Sequence, residues 1–471
     1  MKMLLDGKWI DRKERINVYD PFDNTLVDTV PRAGLKDIEL AIKSSLEGFK
    51  IMKTLYVYER ANILYKTAEI IKSNHDDFAK TIAREGSKTI KEARKETSRC
   101  VNTLTISAEE SKRVLGEYIP FDSFPGGEKR QGYYYRVPIG VILAITPFND
   151  PLNLVAHKLG PAFAAGNSVI LKPASVTPLS AIKLGDAFLK AGLPPKALQI
   201  ITGYGSDIGD TLVKDVRIRM ISFTGGLDAG KQVVKNMGIK KIGMELGSNS
   251  PVIIWKDADF SNAVESCVSG AFWAAGQNCI GVQRIYIHKD IYDKFKDAFV
   301  KRTLKYKVGN KLDEKTNMGP MITEGEAKRV ESWIKEAESL GAKVLAGGKR
   351  KGAIIYPTVL ENVPEKAKIH KNEVFGPTVN LYPITTIDEA IAKSNSLPFG
   401  LHAAIFTQNI DIAYKGIKEL ECGGVMINDS TDYRLDSMPF GGIKYSGLGR
   451  EGIKFSLMEM TEPKVICFSL S

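Results

Sequence analysis

Two short segments hold the side chains best suited to covalent chemistry. FWAAGQNCI, residues 272–280, sets Cys279 behind small residues that let a carbonyl compound approach the thiol closely. MELGSNSP, residues 244–251, ends an apolar, strand-like run on Glu245, beside a tight LGS turn. A thiol and a carboxylate make a nucleophile and a base: the thiolate attacks a carbonyl, and the carboxylate takes a proton from the thiol or from water. For either residue alone the plainer reading wins, since a lone cysteine in an apolar setting is usually core filling.

Two glycine-rich turns suggest a phosphate-bearing ligand. FTGGLDAGKQ, residues 223–232, places Gly225, Gly230 and Lys231 much as a nucleoside-triphosphate loop does. That loop needs a Ser or Thr hydroxyl after the lysine to hold Mg²⁺, and position 232 is glutamine, which disfavours triphosphatase chemistry. GYGSDIG, residues 203–209, follows the apolar run ALQIITG and is one residue out of register for a dinucleotide fingerprint, with three residues between Gly205 and Gly209 where two are expected. Together the two turns favour a dinucleotide over ATP.

The elements that must position these groups alternate along the chain. The first hundred residues carry helical periodicity, as in DIELAIKSSLEGFKIMKTL and ERANILYKTAEIIKSNHDDFAKTIARE. After them GVILAIT, NSVILKP, ALQIITG and IRMISFT are separated by helical segments of crossover length, the pattern of a doubly wound parallel sheet. A second alternating set, SPVIIW, RIYIHK, AKVLAGG and HAAIFTQ, begins near Pro251, so a second α/β domain is expected beyond a boundary near 246. GEYIPFDSFPGGEKRQGYYYRV has hairpin character and KVICFSLS alternates like an edge strand; pairing with another subunit is one way to cover both.

Composition removes several function classes. A chain of 471 residues, 43% hydrophobic and 26% charged, is globular and too long for one core. The net charge of +11 comes from 66 basic residues interspersed with 55 acidic ones, as on solvated helix faces, and no basic stripe marks a nucleic-acid binder. Five scattered cysteines without a C-x-x-C pair argue against a disulfide frame or a metal centre. MKMLLDGKWIDRK lacks the apolar run of a signal peptide, and no later run reaches the roughly 18 residues of a membrane span, so a cytoplasmic protein is expected.

The motifs, taken in order, resemble the NAD(P)⁺-dependent aldehyde dehydrogenase superfamily over nearly the whole chain: TPFNDP, KPASVTP, FTGGLDAG, MELGSNSP, GQNCI, NEVFGPTV, SNSLPFGL and PFGGIKYSGLGREG. The resemblance implies a fold of two α/β domains with Rossmann-like parallel sheets plus a small β oligomerisation element. Residues 1–117 and 137–246 would form the dinucleotide-binding domain, 247–457 the catalytic domain, and 118–136 with 458–471 the oligomerisation hairpin and C-terminal strand of a homodimer or homotetramer. It implies Cys279 as nucleophile, Glu245 as the base for deacylation, and Asn149 with the Cys279 amide as the oxyanion hole. The cofactor would lie against Thr146, Pro147, Phe148, Lys172, Ser175, Gly205, Gly209, Phe223, Gly225, Gly226, Gly230 and Leu246, with Glu373 and Phe375 positioning the nicotinamide and its ribose. Lys231 becomes a surface helix residue, and Gly226 replaces the serine usual in the family.

Departures from the family pattern bear on specificity. Asp150 and His157 stand where members acting on simple aliphatic aldehydes carry aromatic residues. With Asn153 they fall at i, i+3 and i+7, so one helix face could present all three to a hydroxylated substrate. Arg434 lies in the loop that closes the substrate tunnel. The chain is similar here to the archaeal lactaldehyde dehydrogenase branch, so a small hydroxyaldehyde, lactaldehyde first, is the expected substrate; glyceraldehyde 3-phosphate and succinate semialdehyde are the alternatives that Arg434 would also suit. Ser175 stands where NAD-preferring members commonly carry glutamate, so NADP⁺ is expected to be preferred and NAD⁺ accepted.

Overall fold

The computed structural model describes residues 1–470. Two large sheets dominate it. The first has eight strands in the order Lys8–Ile10, Met3–Leu5, Leu198–Ile200, Ser168–Lys172, Val141–Ile145, Ile218–Thr224, Lys241–Glu245, Gly447–Leu448. Its five central strands are parallel and its flanking strands antiparallel. The second has seven: Lys343–Ala346, Thr358–Glu361, Thr378–Ile384, Val282–His288, Ser250–Ile254, His402–Phe406, Gly424–Ile427, all parallel except the first. Helices cover both faces of the inner strands, which is why VILAI and SVILK are continuous apolar runs and not alternating ones. Each sheet has its own buried clusters on its two faces.

In the first sheet the chain winds outward from Val141–Ile145 through Ser168–Lys172 to Leu198–Ile200, then returns to the other side with Ile218–Thr224 and Lys241–Glu245. The strand order reverses between Val141–Ile145 and Ile218–Thr224. A crevice opens at the carboxyl ends of the strands at such a reversal, and ligands of doubly wound sheets bind there.

The chain does not partition cleanly at the expected limits. Strand Gly447–Leu448 pairs with Lys241–Glu245, and helix Ile453–Glu459 packs on helices Ile90–Ser111 and Asn153–Ala164. Residues 447–457, expected within a catalytic domain of 247–457, and residues 458–459, expected in the C-terminal segment, therefore pack with the first sheet's layer. Strands Glu117–Ile119, Arg130–Pro138 and Thr461–Ser469 form a separate three-stranded sheet in which the C-terminal strand covers one edge of the hairpin within the same chain. Ser471, the last residue of the expected C-terminal segment, lies outside the described residues. No helix among the described residues is long and apolar enough to cross a membrane, and no group of three metal-ligating side chains occurs among them.

Candidate active site

Cys279 is half-buried on the loop entering strand Val282–His288 and faces a cavity of about 360 Å³. Asn149, Asp150, Lys88, Lys95, Glu96, Arg99, Trp273, Asp432, Tyr433 and Arg434 share its lining. The cysteine loop is held in an unusual backbone. Ala274, Ala275 and Gly276 all have positive φ, at 49°, 57° and 68°. For alanine this conformation costs roughly 1–2 kcal/mol per residue. Three buried bonds hold it: the Ala274 amide donates to Glu92 Oε1 at 2.9 Å, Gln277 Nε2 donates to the Ala274 carbonyl at 3.0 Å, and the Ile322 amide donates to Gln277 Oε1 at 2.9 Å. Glu92 also caps helix Ile90–Ser111, accepting the Thr89 amide at 2.7 Å, so one carboxylate ties that helix to the cysteine loop.

Glu245 ends its strand with a buried carboxyl whose Oε2 has no hydrogen-bond partner. Gly441, at φ 153°, leaves it room: a Cβ there would stand 2.6 Å from Glu245 Oε1. Burial raises the Glu245 carboxyl well above the usual carboxylate range, and repulsion from Glu451 adds to this; Arg434, Lys158 and Arg450 oppose it. The Cys279 thiol is pushed up to about 12, again by burial, with Arg434 as the principal opposing charge and Glu373, Glu245 and Glu451 reinforcing the rise. Glu245 does not line the cysteine cavity, but its charge reinforces the rise of the Cys279 thiol.

Behind them lies a buried chain of charges of which the sequence analysis named only Arg434. Lys158 Nζ donates to Ser222 Oγ and to Glu451 Oε1, both at 3.1 Å, and Arg434 Nη2 donates to Glu451 Oε2 at 3.2 Å. Burial opposes ionisation of Glu451, yet Lys158 and Arg434 hold it down to about 2. The Arg434 guanidinium stacks 3.7 Å over the Phe440 ring, and its Nε is buried without a partner.

The expected face of Asp150, Asn153 and His157 does not form. Helix Asn153–Ala164 is buried along its whole length, and neither Asn153 nor His157 lines the cavity. Asn153 Oδ1 accepts from Thr103 Oγ1 at 2.8 Å, and its Nδ2 donates to Asp436 Oδ1 at 3.3 Å. His157 Nε2 bonds the same Asp436 oxygen at 2.8 Å; burial, then Arg434, depress its pKa, so it donates as a neutral ring. The chain between these residues spans 279 positions or more, and no local spacing reveals such partners. Asp150 does line the cavity but is paired to Lys88 and to Arg99 Nη1, the latter at 3.3 Å. Arg99, whose Nη2 donates to Asp436 at 2.8 Å and whose buried Nε is free, is a cavity cation that sequence reasoning missed, as are Lys88 and Lys95. Its signal was a polar stripe, Glu92, Glu96, Arg99 and Thr103, at helical spacing, of which Glu92, Glu96 and Thr103 lie on the buried side of the helix.

The expected cofactor residues fall mainly at the ends of the first sheet's parallel strands and in the segments that follow them. Thr146, Pro147 and Phe148 leave the carboxyl end of Val141–Ile145; the Thr146 hydroxyl is buried and unpartnered, and the Phe148 ring meets Phe375 edge-on at 5.7 Å. Gly225 and Gly226 lead into helix Leu227–Asn236, whose first turn has no side-chain cap, so its amides face outward. Gly230 lets that helix sit on Leu246, where a Cβ would come within 2.6 Å. Phe223 and Leu246 are buried in the sheet behind it. Gly205 and Gly209 border open space, with nothing within 4 Å of a Cβ. Lys231 is exposed over the Tyr445 ring at 5.1 Å, and Gln232 donates to Asp210 at 3.2 Å, so neither makes a triphosphate loop. Lys172 is buried, bonded only to the Pro173 carbonyl at 3.2 Å, with its pKa lowered to about 8 by burial. Ser175 is half-buried nearby along the chain. Glu373 accepts the Ser248 amide at 3.0 Å, and burial lifts its pKa to about 7. An unpaired buried ammonium, free helix amides and an unpartnered hydroxyl fit a dinucleotide.

The aldehyde dehydrogenase family profile matches residues 9–466. The chain is 49% identical over 455 residues to aspartate-semialdehyde dehydrogenase 1 of Pseudomonas canavaninivorans, covering 97% of both chains. It is 41% identical over 471 residues to lactaldehyde dehydrogenase of Methanocaldococcus jannaschii, covering 99% of this chain and 100% of that one. Among solved structures it matches aldehyde dehydrogenase 21 from Physcomitrella patens in complex with the reaction product succinate, with a TM-score of 0.97, 40% identity and coverage of 99% and 98%. The cysteine cavity beside a dinucleotide crevice, on this fold, is thus that of an oxidoreductase, and the chain belongs to the aldehyde dehydrogenase family.

Proposed function

We propose that this protein oxidises a short aldehyde bearing an anionic group at its far end, through Cys279, with NADP⁺ preferred and NAD⁺ accepted. The observation that carries the substrate class is the pair of arginines in the cysteine cavity: Arg99 and Arg434 each keep a buried, unpartnered Nε, and a carboxylate, sulfonate or phosphate would satisfy both. The aspartate-semialdehyde and succinate relatives handle such groups. A neutral hydroxyaldehyde such as lactaldehyde is the second reading, favoured by Asp432, a cavity carboxyl whose pKa burial raises and which can accept a hydrogen bond from a hydroxyl.

In this reading the Cys279 thiolate adds to the carbonyl, and the Asn149 amide with the Cys279 N–H receives the oxyanion. A nicotinamide held by Glu373 and Phe375 would supply the hydride acceptor. Glu245 takes the proton from the water that cleaves the resulting thioester, and its unpaired Oε2 is the atom that does so. The three-stranded sheet exposes Tyr118, Phe124, Tyr133, Val465 and Phe468, which suits it to join copies of the chain as a dimer or tetramer.

Substrate class is tested by comparing kcat/KM for succinate semialdehyde, lactaldehyde and propanal. Arg434→Gln and Arg99→Gln should each lower the succinate-semialdehyde to propanal ratio by tenfold or more, since a charge-assisted bond contributes about 1.5–3 kcal/mol. An unchanged ratio in both variants rules out the anionic class. For the cofactor, Ser175→Glu should move preference toward NAD⁺ by about tenfold if repulsion of a 2′-phosphate costs about 1.4 kcal/mol.

A further inference from the structure

A second charged cleft, of about 770 Å³, lies beside the dinucleotide crevice and is lined by Arg12, Glu14, Arg32, Lys36 and Asp207. Its position follows from the sheet register. Leu171 pairs with Ile200, so Lys172 is level with Ile201 at the carboxyl edge of two neighbouring strands, and Thr202 follows one residue beyond. The segment carrying Arg32 is bonded to that edge: the Ala33 amide donates to the Thr202 carbonyl at 2.9 Å, and Thr202 Oγ1 donates to the Pro31 carbonyl at 2.5 Å. Asp207 sits in the first turn of helix Gly205–Lys214, immediately after the same edge. Arg32 Nε donates to Asp207 Oδ2 at 2.9 Å, and its guanidinium lies 5.5 Å from the Tyr204 ring. Ser206 Oγ donates to the other Asp207 oxygen at 3.0 Å, and Glu14 stands 3.7 Å from Arg32 Nη1.

A dinucleotide whose pyrophosphate rests on the Leu227 helix end and whose nicotinamide reaches Cys279 carries its adenosine ribose toward Lys172, Ser175 and this cleft. Asp207 is then the carboxylate nearest the ribose edge, since position 175 has none, and it lies close enough to Lys172 for each to shift the other's titration. We propose that the Arg32–Asp207 pair determines whether the ribose 2′ position can carry a phosphate: Arg32 is the cation that receives it, and Asp207 is the carboxylate that Arg32 must neutralise. This deepens the NADP⁺ reading above and rests on it. The pair is partly exposed, with 42% of the Arg32 side chain and 26% of the Asp207 side chain open to solvent, so it is weak enough for the guanidinium to turn from the carboxylate to a dianion. With no phosphate present, Asp207 holds Arg32 in place and leaves a ribose hydroxyl an acceptor.

The test uses binding to the full protein without turnover. Titration calorimetry with adenosine 2′,5′-bisphosphate and with 5′-AMP isolates the 2′-phosphate. Arg32→Gln should weaken the bisphosphate at least tenfold and 5′-AMP less than twofold. Asp207→Asn should tighten the bisphosphate about threefold or more, and the double variant should recover part of the Arg32→Gln loss because the repelling carboxylate is gone. Parallel losses for both ligands in Arg32→Gln, or a weaker bisphosphate in Asp207→Asn, overturn the proposal. If the wild type binds 5′-AMP as tightly as the bisphosphate, the NADP⁺ preference falls; the pair's role then stands if Asp207→Asn still tightens the bisphosphate, and falls if it does not.

Discussion

The state of the resting nucleophile is open to a direct chemical test. Burial places the Cys279 thiol at about 12, so at pH 8 it is ionised to about one part in ten thousand, whereas an ordinary cysteine of pKa about 8.5 is about one quarter ionised. That is a deficit of about 2,000-fold in thiolate. The more basic thiolate is also the better nucleophile, by about 40-fold for a Brønsted slope near 0.45 over a pKa gap of about 3.5. Iodoacetamide should therefore modify Cys279, in protein free of cofactor, about 60-fold more slowly than free cysteine. The rate should rise about tenfold per pH unit from pH 7 to 10 without a plateau. Arg434→Gln should slow it further, because Arg434 is the principal charge opposing burial. Mass spectrometry of the peptide containing residue 279 keeps the measurement clear of the exposed Cys467. A plateau below pH 9 would mean that a thiolate is already formed in the resting site, and the burial argument would be wrong.

Two further outcomes follow from the same geometry. Glu245→Gln should release about one reduced nicotinamide per site in a burst and then turn over at least about 100-fold more slowly, because the thioester forms but lacks its base; undiminished steady turnover would assign that role elsewhere. Glu92→Ala removes the acceptor of both the Ala274 and Thr89 amides, and unfolding in urea should show a loss of about 2–4 kcal/mol. Its kcat should fall more than the KM for cofactor rises, and an unaltered kcat would show that the loop keeps its shape without this bond.

The architecture was legible because the inner strands are buried on both faces. VILAI, SVILK, IRMISFT and SPVII read as apolar runs whatever lies around them, and they are strands. The return of residues 447–459 to the first sheet was not, since Gly447–Leu448 is two residues long and carries no periodicity. Site residues divide in the same way. Asn149, Cys279 and Arg434 sit in motifs and share one cavity. Asn153 and His157 were misread because spacing on a helix says which residues share a face and nothing about what that face meets; here it meets Asp436 in the helix-packing layer. Lys158, Glu451 and Arg99 gain their roles only from partners far away in sequence, and a charged residue read alone defaults to the surface.

The left-handed backbone at Ala274–Gly276 has a bearing on how the protein is made. Glu92 belongs to the part of the chain that leaves the ribosome first, and the cysteine loop emerges some 180 residues later. Until the two meet, one of the three bonds that hold the alanines in their costly conformation is missing. A positioned Cys279 loop is therefore a product of long-range assembly, and a chain lacking helix Ile90–Ser111 would carry the thiol without the acceptor that fixes its backbone.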